Sequence, residues 1–136
     1  MVAVGAVIND DKGRILLVKH KLQRGGFWQG KWICPGGELE LGESISDGIK
    51  REVREETGLE IDLCRSLSPF ERIVKSEDNV DLHVIYIDYL AKLVSGELSP
   101  NSDVGEALWV DRDSIGQIWD ELHDDTKKLL ELAEMV

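Results

Sequence analysis

A short amphipathic helix with β-prone sequence on both sides is the feature that most limits the possible folds of this chain. The helix is predicted over residues 44–57, where Ile45, Ile49 and Val53 recur at intervals of four and form one apolar stripe. Its first residue is a serine, which suits an N-cap, and Gly58 suits a C-cap. Such a helix is stable only when its stripe packs against another layer of structure.

The β-prone runs supply that layer. The composition of residues 9–13 indicates a turn, so the first two runs predict a hairpin. A short extended piece at 32–34 ends at Pro35-Gly36-Gly37, and a terminal helix is predicted from Asp124 to Met135. We therefore expect a single α/β domain over residues 1–136, with strands at 1–8, 15–18, 59–67, 70–74, 82–93 and 107–110.

Charge is distributed unevenly along the chain. The net charge of −11 disfavours binding to a nucleic-acid polymer, which requires a basic face. Six lysines or arginines and no acids lie between Lys12 and Gly37, whereas eight acids lie between Gly37 and Glu60. A basic segment beside an acidic one suits a polyphosphate held through a divalent metal, although an ordinary solvated surface has the same composition.

Two cysteines and the absence of long apolar runs indicate the cellular location. Cys34 and Cys64 lack a CxxC spacing, so they predict neither a zinc site nor a disulfide framework. They suit a reduced intracellular protein. Met1 opens directly into an apolar segment without a basic leader, and no run approaches the length of a membrane span. We therefore expect a cytoplasmic protein that does not bind membranes.

Three glutamates of the predicted helix share one face. Residues at i, i+3 and i+4 project together, so Glu52, Glu55 and Glu56 lie opposite the apolar stripe. Carboxylates this close repel one another unless water solvates them or a divalent cation neutralises them. Oxygen ligands favour hard ions such as Mg²⁺ or Mn²⁺, and Mg²⁺ completes its shell with water and substrate phosphate. These residues alone fit either a solvated face or a metal site.

Neighbouring residues are placed to support a metal site. Arg51 is positioned to form a bidentate pair with a carboxylate and so to fix its orientation. Glu43 lies at the junction of loop and helix, where its side chain is able to reach a metal or Arg51. Gly36 and Gly37 allow backbone conformations that bring a carbonyl close to a metal.

The spacing of these residues matches a known pattern. From Gly37 to Leu59 the sequence fits G-x5-E-x7-R-E-U-x-E-E-x-G-U, with U aliphatic, at every specified position. A chance match in a chain of this size is expected on the order of once in ten million. The segment resembles the Nudix box, and residues 32–37 are similar to the strand and turn that precede it. The chain is thus identified as a member of the Nudix hydrolase family, of the MutT-like type.

The resemblance implies a fold and a set of roles. The fold is the Nudix fold, a mixed β-sheet in an α/β/α sandwich with the box as a loop-helix-loop motif. The cofactor is Mg²⁺, with Mn²⁺ as a substitute. The implied metal ligands and catalytic residues are Glu52 (metal ligand or water-activating base), Glu55 and Glu56 (metal ligands), Gly36 (carbonyl ligand), Arg51 (orienting a glutamate) and Glu43 (its partner).

Candidates outside the box are weaker. Members of the family often recruit a further acid, for which Glu106 is the first candidate and Asp103 the second. Aromatic residues near a nucleotide site stack on bases, a strand histidine faces the pocket in some relatives, and loop cations neutralise phosphate. The candidate substrate-binding residues are therefore Trp28, Phe27, His83, Lys19 and Arg24.

The resemblance implies a hydrolase that acts on phosphorus-containing acid anhydrides. The first hypothesis is a pyrophosphohydrolase that converts a (deoxy)nucleoside triphosphate into a monophosphate and pyrophosphate. The alternative is an ADP-ribose pyrophosphatase, although Pro69 lies closer to the box than the proline typical of that subgroup. A non-catalytic nucleotide-binding module is a third hypothesis, but such modules usually lack box glutamates. The partner is a nucleotide or a related small molecule, and relatives often form homodimers.

Overall fold

The computed structural model describes residues 1–21 and 26–135. Its elements follow the predicted order, and no helix in the described part of the chain is long and apolar enough to cross a bilayer. The elements are β1 (Val2–Asn9), β2 (Arg14–His20), β3 (Gly36–Glu38), α1 (Ile45–Thr57), β4 (Glu60–Ser66), β5 (Phe70–Ser76), β6 (Asn79–Ser95), β7 (Val104–Asp111), a 3-10 segment (Arg112–Glu121) and α2 (Asp124–Leu132).

The strands form one mixed sheet. Its main order is β4-β6-β1-β2-β7, while β3 pairs with β1 and β5 pairs with β6. The pairing of β1 with β6 is parallel, and the other strand pairs are antiparallel. Strand β6 has 17 residues and is long enough to pair with β5 along its first half and with β4 along its second. The predicted mixed sheet is confirmed.

Helices cover both faces of the sheet. Side chains alternate between the faces of β1, so that Val4 and Ile8 pack with α1 while Val7 packs with α2 and the 3-10 segment. Leu129 and Leu130 of α2 lie in the second of these cores, as the sequence predicts. The predicted α/β/α sandwich is confirmed, and Val136 lies outside the described residues.

The local signals that predict α1 all operate in the structure. Ser44 caps the helix by accepting a hydrogen bond from the backbone N–H of Asp47 at 3.1 Å. Gly58 ends it in the left-handed region, at a φ of 75° that favours glycine. Ile49 and Val53 are completely buried against the sheet. The opposite face of the helix is therefore free to carry acids.

Three local predictions differ from the structure. Strands β1 and β2 pair only where Asn9 meets Ile15, because β1 continues between β6 and β3 while β2 continues along β7. The extended segment does not end at Pro35-Gly36-Gly37, because Gly36–Glu38 form the short strand β3, which pairs with β1. The 3-10 segment Arg112–Glu121 has no counterpart in the sequence analysis, since it buries only Ile115 and lacks a helical stripe.

Glycine at position 36 is required for space. A Cβ on Gly36 would clash with the carbonyl oxygen of Val4 and would lie 2.8 Å from the Cα of Gly5. Gly5 and Gly36 both have a negative φ. The special backbone conformation that the sequence suggests for Gly36 is therefore not the reason for a glycine at this position. Close approach of β3 to β1 is therefore the reason for glycine here, and it places the start of the box directly against the sheet.

Replacing Ile49 by alanine tests the packing of α1. Because Ile49 has no exposed surface, the change leaves a cavity, and we expect the free energy of unfolding to fall by about 2–5 kcal/mol. Ile73→Ala, at a side chain that is 42% exposed, is the matched control and costs less than about 1 kcal/mol. Urea unfolding followed by circular dichroism measures both. Equal losses in the two variants would contradict this packing.

Candidate active site

A cleft of about 600 Å³ opens where α1 meets strands β1 and β3. Glu52, Glu55 and Glu56 line one end of it, together with Arg51. Residues of β6 and α2 line the other end. The three acids that the sequence places on one helical face therefore do share one cavity, and that cavity extends well beyond them.

Arg51 lies at the centre of the acidic end. Its Nε and Nη2 donate to the two carboxylate oxygens of Glu43 at 2.5 and 3.0 Å, which is the bidentate pair predicted from the sequence. Its Nη1 donates to Glu52 at 3.0 Å and to Glu55 at 3.2 Å. Its Nη2 also donates to the carbonyl oxygen of Glu38 at 3.2 Å, so one guanidinium joins the loop to the helix.

Arg51 and burial shift the pKa of the Glu52 carboxyl in opposite directions. Burial raises the pKa of Glu52 above its ordinary value, whereas the charge and hydrogen bond of Arg51 lower it. The carboxylate packs against the backbone of Gly37, where a Cβ would lie 2.5 Å from the carboxylate oxygens of Glu52. A side chain on Gly37 would thus displace Glu52. For Glu43, the hydrogen bond from Arg51 lowers the pKa of the carboxyl.

Glu56 connects α1 to β3. Its side chain is buried, and its Oε1 accepts a hydrogen bond from the backbone N–H of Gly36 at 2.9 Å. This contact fixes the backbone of Gly36, the residue whose carbonyl the sequence assigns to a metal. Glu55 is more exposed than Glu52 or Glu56, and Arg51 is its partner.

The donor set of this cleft fits a hard dication. In residues 1–21 and 26–135, no three His, Cys, Asp or Glu side chains form a ready-made metal cage. Instead, Arg51 contacts Glu43, Glu52 and Glu55 and supplies the positive charge among them. Mg²⁺ needs only one or two carboxylates beside water and substrate oxygens, and all the acids here offer oxygen. Glu52, Glu55 and Glu56 are therefore the residues that could hold it.

Glu106, the first candidate for an additional acid, is not brought to the site. Glu106 pairs in register with Lys19, is exposed and is absent from the described lining of the cleft. The second candidate, Asp103, does line the cleft. The described structure therefore favours Asp103 over Glu106 as the additional acid.

Only one of the two aromatic candidates lines the cleft. The indole Nε1–H of Trp28 donates to the hydroxyl of Tyr86 at 2.9 Å, which fixes the orientation of the indole in the cleft wall. Phe27 is 37% exposed and packs edge-on against Trp28 and His123 outside the described lining of the cleft. Trp28 keeps its candidate role, whereas the structure does not place Phe27 at the site.

The remaining substrate-binding candidates either lie away from the cleft or fall outside the described residues. His83 is exposed on β6 and contacts Glu71 at 3.2 Å. Lys19 lies over the ring of Trp32, 4.6 Å from its centroid, and is absent from the described lining. Arg24 lies outside the described residues. The described residues thus place the Lys19 ammonium on the ring of Trp32 and not in the lining of the cleft.

Several residues that line the cleft were not predicted as site residues from the sequence. They share no motif, because strand pairing rather than helical spacing brings them together. His20 of β2, Cys34 and Thr126 are among them, and burial raises the pKa of the Cys34 thiol. The alternation of β6 was visible in the sequence and could have indicated that Tyr86 and Asp88 share a face.

Removing Arg51 should raise the pKa of Glu52 further. Burial favours the neutral form of Glu52 and Arg51 favours the charged form, so in Arg51→Ala the effect of burial remains unopposed. Carbon-13 NMR titration of the glutamate carboxyl carbons in metal-free protein measures this pKa. Arg54→Ala is the control, because Arg54 contacts Glu60 at 2.6 Å and should affect the pKa of Glu60 only. A pKa of Glu52 that stays constant in Arg51→Ala would refute this account.

Comparison with known proteins places this site in a family. The Nudix domain model matches residues 1–132. An ADP-ribose pyrophosphatase from Methanocaldococcus jannaschii is 34% identical over 118 residues, which is 86% of this chain and 65% of that protein. Nucleoside triphosphatase NudI from Escherichia fergusonii is 31% identical over 131 residues, covering 91% of this chain and 90% of NudI.

The fold is shared as well. The crystal structure of a MutT Nudix hydrolase from Burkholderia pseudomallei superposes with a TM-score of 0.79 at 28% identity, over 96% of this chain and 95% of that one. The chain spans less than two thirds of the archaeal pyrophosphatase and of a Nudix hydrolase from Bacillus subtilis, at 65% and 62% of their lengths. The match from residue 1 to residue 132, together with the shared fold and the complete box, shows that this chain belongs to the Nudix family.

Proposed function

We propose that this protein hydrolyses a diphosphate linkage in a nucleotide-like substrate with the help of Mg²⁺. The observation that carries the proposal is the gathering of Glu52, Glu55 and Glu56 at one end of a cleft that has room for a nucleotide. All the glutamates of the box are present, which argues against a non-catalytic module. Mn²⁺ serves as a substitute, since the oxygen donors suit both ions.

The proposed mechanism divides the work among the acids. When bound, Mg²⁺ would offset the negative charge on the phosphate oxygens and make water a better nucleophile. Glu56, Glu55 and the carbonyl of Gly36 would hold the metal. Glu52 accepts a proton from the attacking water, because its burial favours the protonated form that results. Arg51 positions Glu43 and Glu52 through the contacts described above.

We propose a (deoxy)nucleoside triphosphate as the substrate, with a monophosphate and pyrophosphate as products. NudI, which is similar over nine tenths of both chains, is named a nucleoside triphosphatase. ADP-ribose is the alternative, because the Methanocaldococcus jannaschii relative is named an ADP-ribose pyrophosphatase. Asp103 is the proposed additional acid at the metal site, and Trp28 the proposed contact to the base. A cytoplasmic location and a homodimer remain predictions.

Glu56→Gln tests the metal-dependent chemistry. The glutamine side-chain oxygen is still able to accept the N–H of Gly36, so we expect the fold to persist while kcat/KM falls by at least about 10²-fold. Mg²⁺ should raise the melting temperature of the wild type, and this shift should be lost in the variant. Glu131→Gln, on the exposed face of α2, is the control and should behave as wild type. Full activity in Glu56→Gln would overturn the proposed role.

Product analysis separates the two substrate classes. The purified protein is incubated with Mg²⁺ and either nucleoside triphosphates or ADP-ribose, and products are resolved by ion-exchange chromatography. We expect pyrophosphate and a nucleoside monophosphate from the triphosphates. AMP and ribose 5-phosphate from ADP-ribose, with no turnover of triphosphates, would favour the alternative. Turnover of no diphosphate-containing substrate would refute the enzymatic proposal.

A further inference from the structure

One buried carboxyl group in the cleft has an oxygen without a hydrogen-bond partner. Asp88 of β6 is only 7% exposed, and it lines the cleft. Its Oδ2 is the one buried side-chain nitrogen or oxygen without a partner in the part of the chain that the structure describes. Folded proteins contain few such groups, because an unpaired buried polar atom destabilises the fold. The position of Asp88 therefore needs an explanation outside stability.

The neighbouring acid of the same cleft shows the contrast. Asp125 of α2 is also buried, but its Oδ1 accepts from Arg72 at 2.6 Å and its Oδ2 accepts from the hydroxyl of Tyr86 at 2.5 Å. Both of its oxygens are thus used within the protein. Asp88 alone of the two has hydrogen-bonding capacity left for a bound molecule.

Strand register places Asp88 at a defined distance from the acidic end. Gly5 of β1 pairs with Asp88 on one side and with Gly36 on the other. The spacing of paired strands puts Asp88 about 10 Å from Gly36, whose N–H contacts Glu56. A nucleotide whose phosphates lie at the acids would extend its base over such a distance.

The absence of a side chain at Gly5 makes room for this carboxyl. A Cβ on Gly5 would lie 2.8 Å from Oδ1 of Asp88 and 2.7 Å from the carbonyl oxygen of Pro35. Gly5, Val7 and Asp88 face the α2 side of the sheet, so the carboxyl lies above a backbone that has no side chain of its own. The lack of a side chain at Gly5 thus leaves the space that the Asp88 carboxyl occupies.

Flat aromatic surface lies beside Asp88. Tyr86, two residues earlier on the same face of β6, stacks on Phe70 with ring centroids 4.7 Å apart and an interplanar angle of 24°. Both rings line the cleft, together with Cys34 and Leu129. A planar heteroaromatic ring with hydrogen-bonding groups on its edge suits such a wall. Burial raises the pKa of Asp88 to about 7, so its carboxyl is able to donate as well as accept near neutral pH.

We infer that Asp88 hydrogen-bonds the base of a bound nucleotide and determines which base is preferred. This inference rests on the proposed action on nucleotides and adds a specificity-determining residue to the same cleft. The base contacts the carboxyl where Asp88 lines the cleft, because Oδ2 itself is closed to solvent in the free protein. Asp88 therefore lowers stability in the absence of ligand and increases affinity for one class of base.

Binding of nucleoside monophosphates tests the inference without metal or catalysis. Affinities for AMP, GMP, CMP and UMP are measured by isothermal titration calorimetry in EDTA for the wild type, Asp88→Leu, Asp88→Asn and Asp62→Leu. We expect the wild type to prefer one base. Asp88→Leu should lose about tenfold in affinity for that base and bind the four nucleotides almost equally. Asp88→Asn, which keeps a donor and an acceptor, should change the order of preference.

Thermal unfolding supplies a readout that a structural role would not give. Asp88→Leu should have a higher melting temperature than the wild type, because it removes an unpaired buried carboxyl. Asp62→Leu, at an exposed strand aspartate of β4, is the control and should keep both the base preference and the melting temperature.

Four outcomes would overturn the inference: no base preference in the wild type, the wild-type order retained in Asp88→Leu and Asp88→Asn, an equal loss for all four bases, or a lower melting temperature in Asp88→Leu. These outcomes are separate from the proposed hydrolysis, because binding in EDTA does not depend on turnover. An Asp88→Leu variant that does not fold counts as the last of these outcomes and overturns the inference as well. Failure of the turnover assay with base-selective binding intact would instead remove the enzymatic proposal.

Discussion

The contacts of the Arg51 guanidinium hold the acidic end of the cleft together. Four carboxylates from the box lie near this one cation, and Glu43, Glu52 and Glu55 all contact it directly. Without Arg51 these like charges would have only solvent to offset their repulsion. The same guanidinium reaches the backbone of Glu38, so it joins the loop before α1 to the helix. Arg51 thus fixes the positions of acids that come from both the loop and the helix.

The sequence predicts helix α1 and its acidic face well and the rest of the cleft poorly, for a physical reason. Helical spacing is local, so the face shared by Glu52, Glu55 and Glu56 follows directly from their positions. The pairing of β1 with β3 and β6 is not local, so the sequence alone does not place Asp88 and Tyr86 in the same cleft as Gly36. The position of Glu106 outside the described lining has the same cause, since the pairing of β7 with β2 places it.

Strand β6 explains how a small domain builds so large a cleft. Its length lets it pair with β5, β4 and β1, and its α2 face carries the residues at the far end of the cavity. The hydroxyl of Tyr86 connects Trp28, in the segment between β2 and β3, to Asp125 of α2. Arg72 of β5 also contacts Asp125 and completes this network. Four separate segments are thus held in one wall by side-chain hydrogen bonds that no linear motif records.

The neighbouring glycines Gly5 and Gly36 separate two groups of cleft residues. The acids of α1 lie on one side of this thin strip of backbone, and Asp88 lies on the other. If Asp88 contacts the base as inferred above, a substitution at position 88 would change the preferred base while leaving the acids of α1 in place. This separation needs both glycines, because a side chain on Gly5 would meet Asp88 and one on Gly36 would meet the backbone of β1.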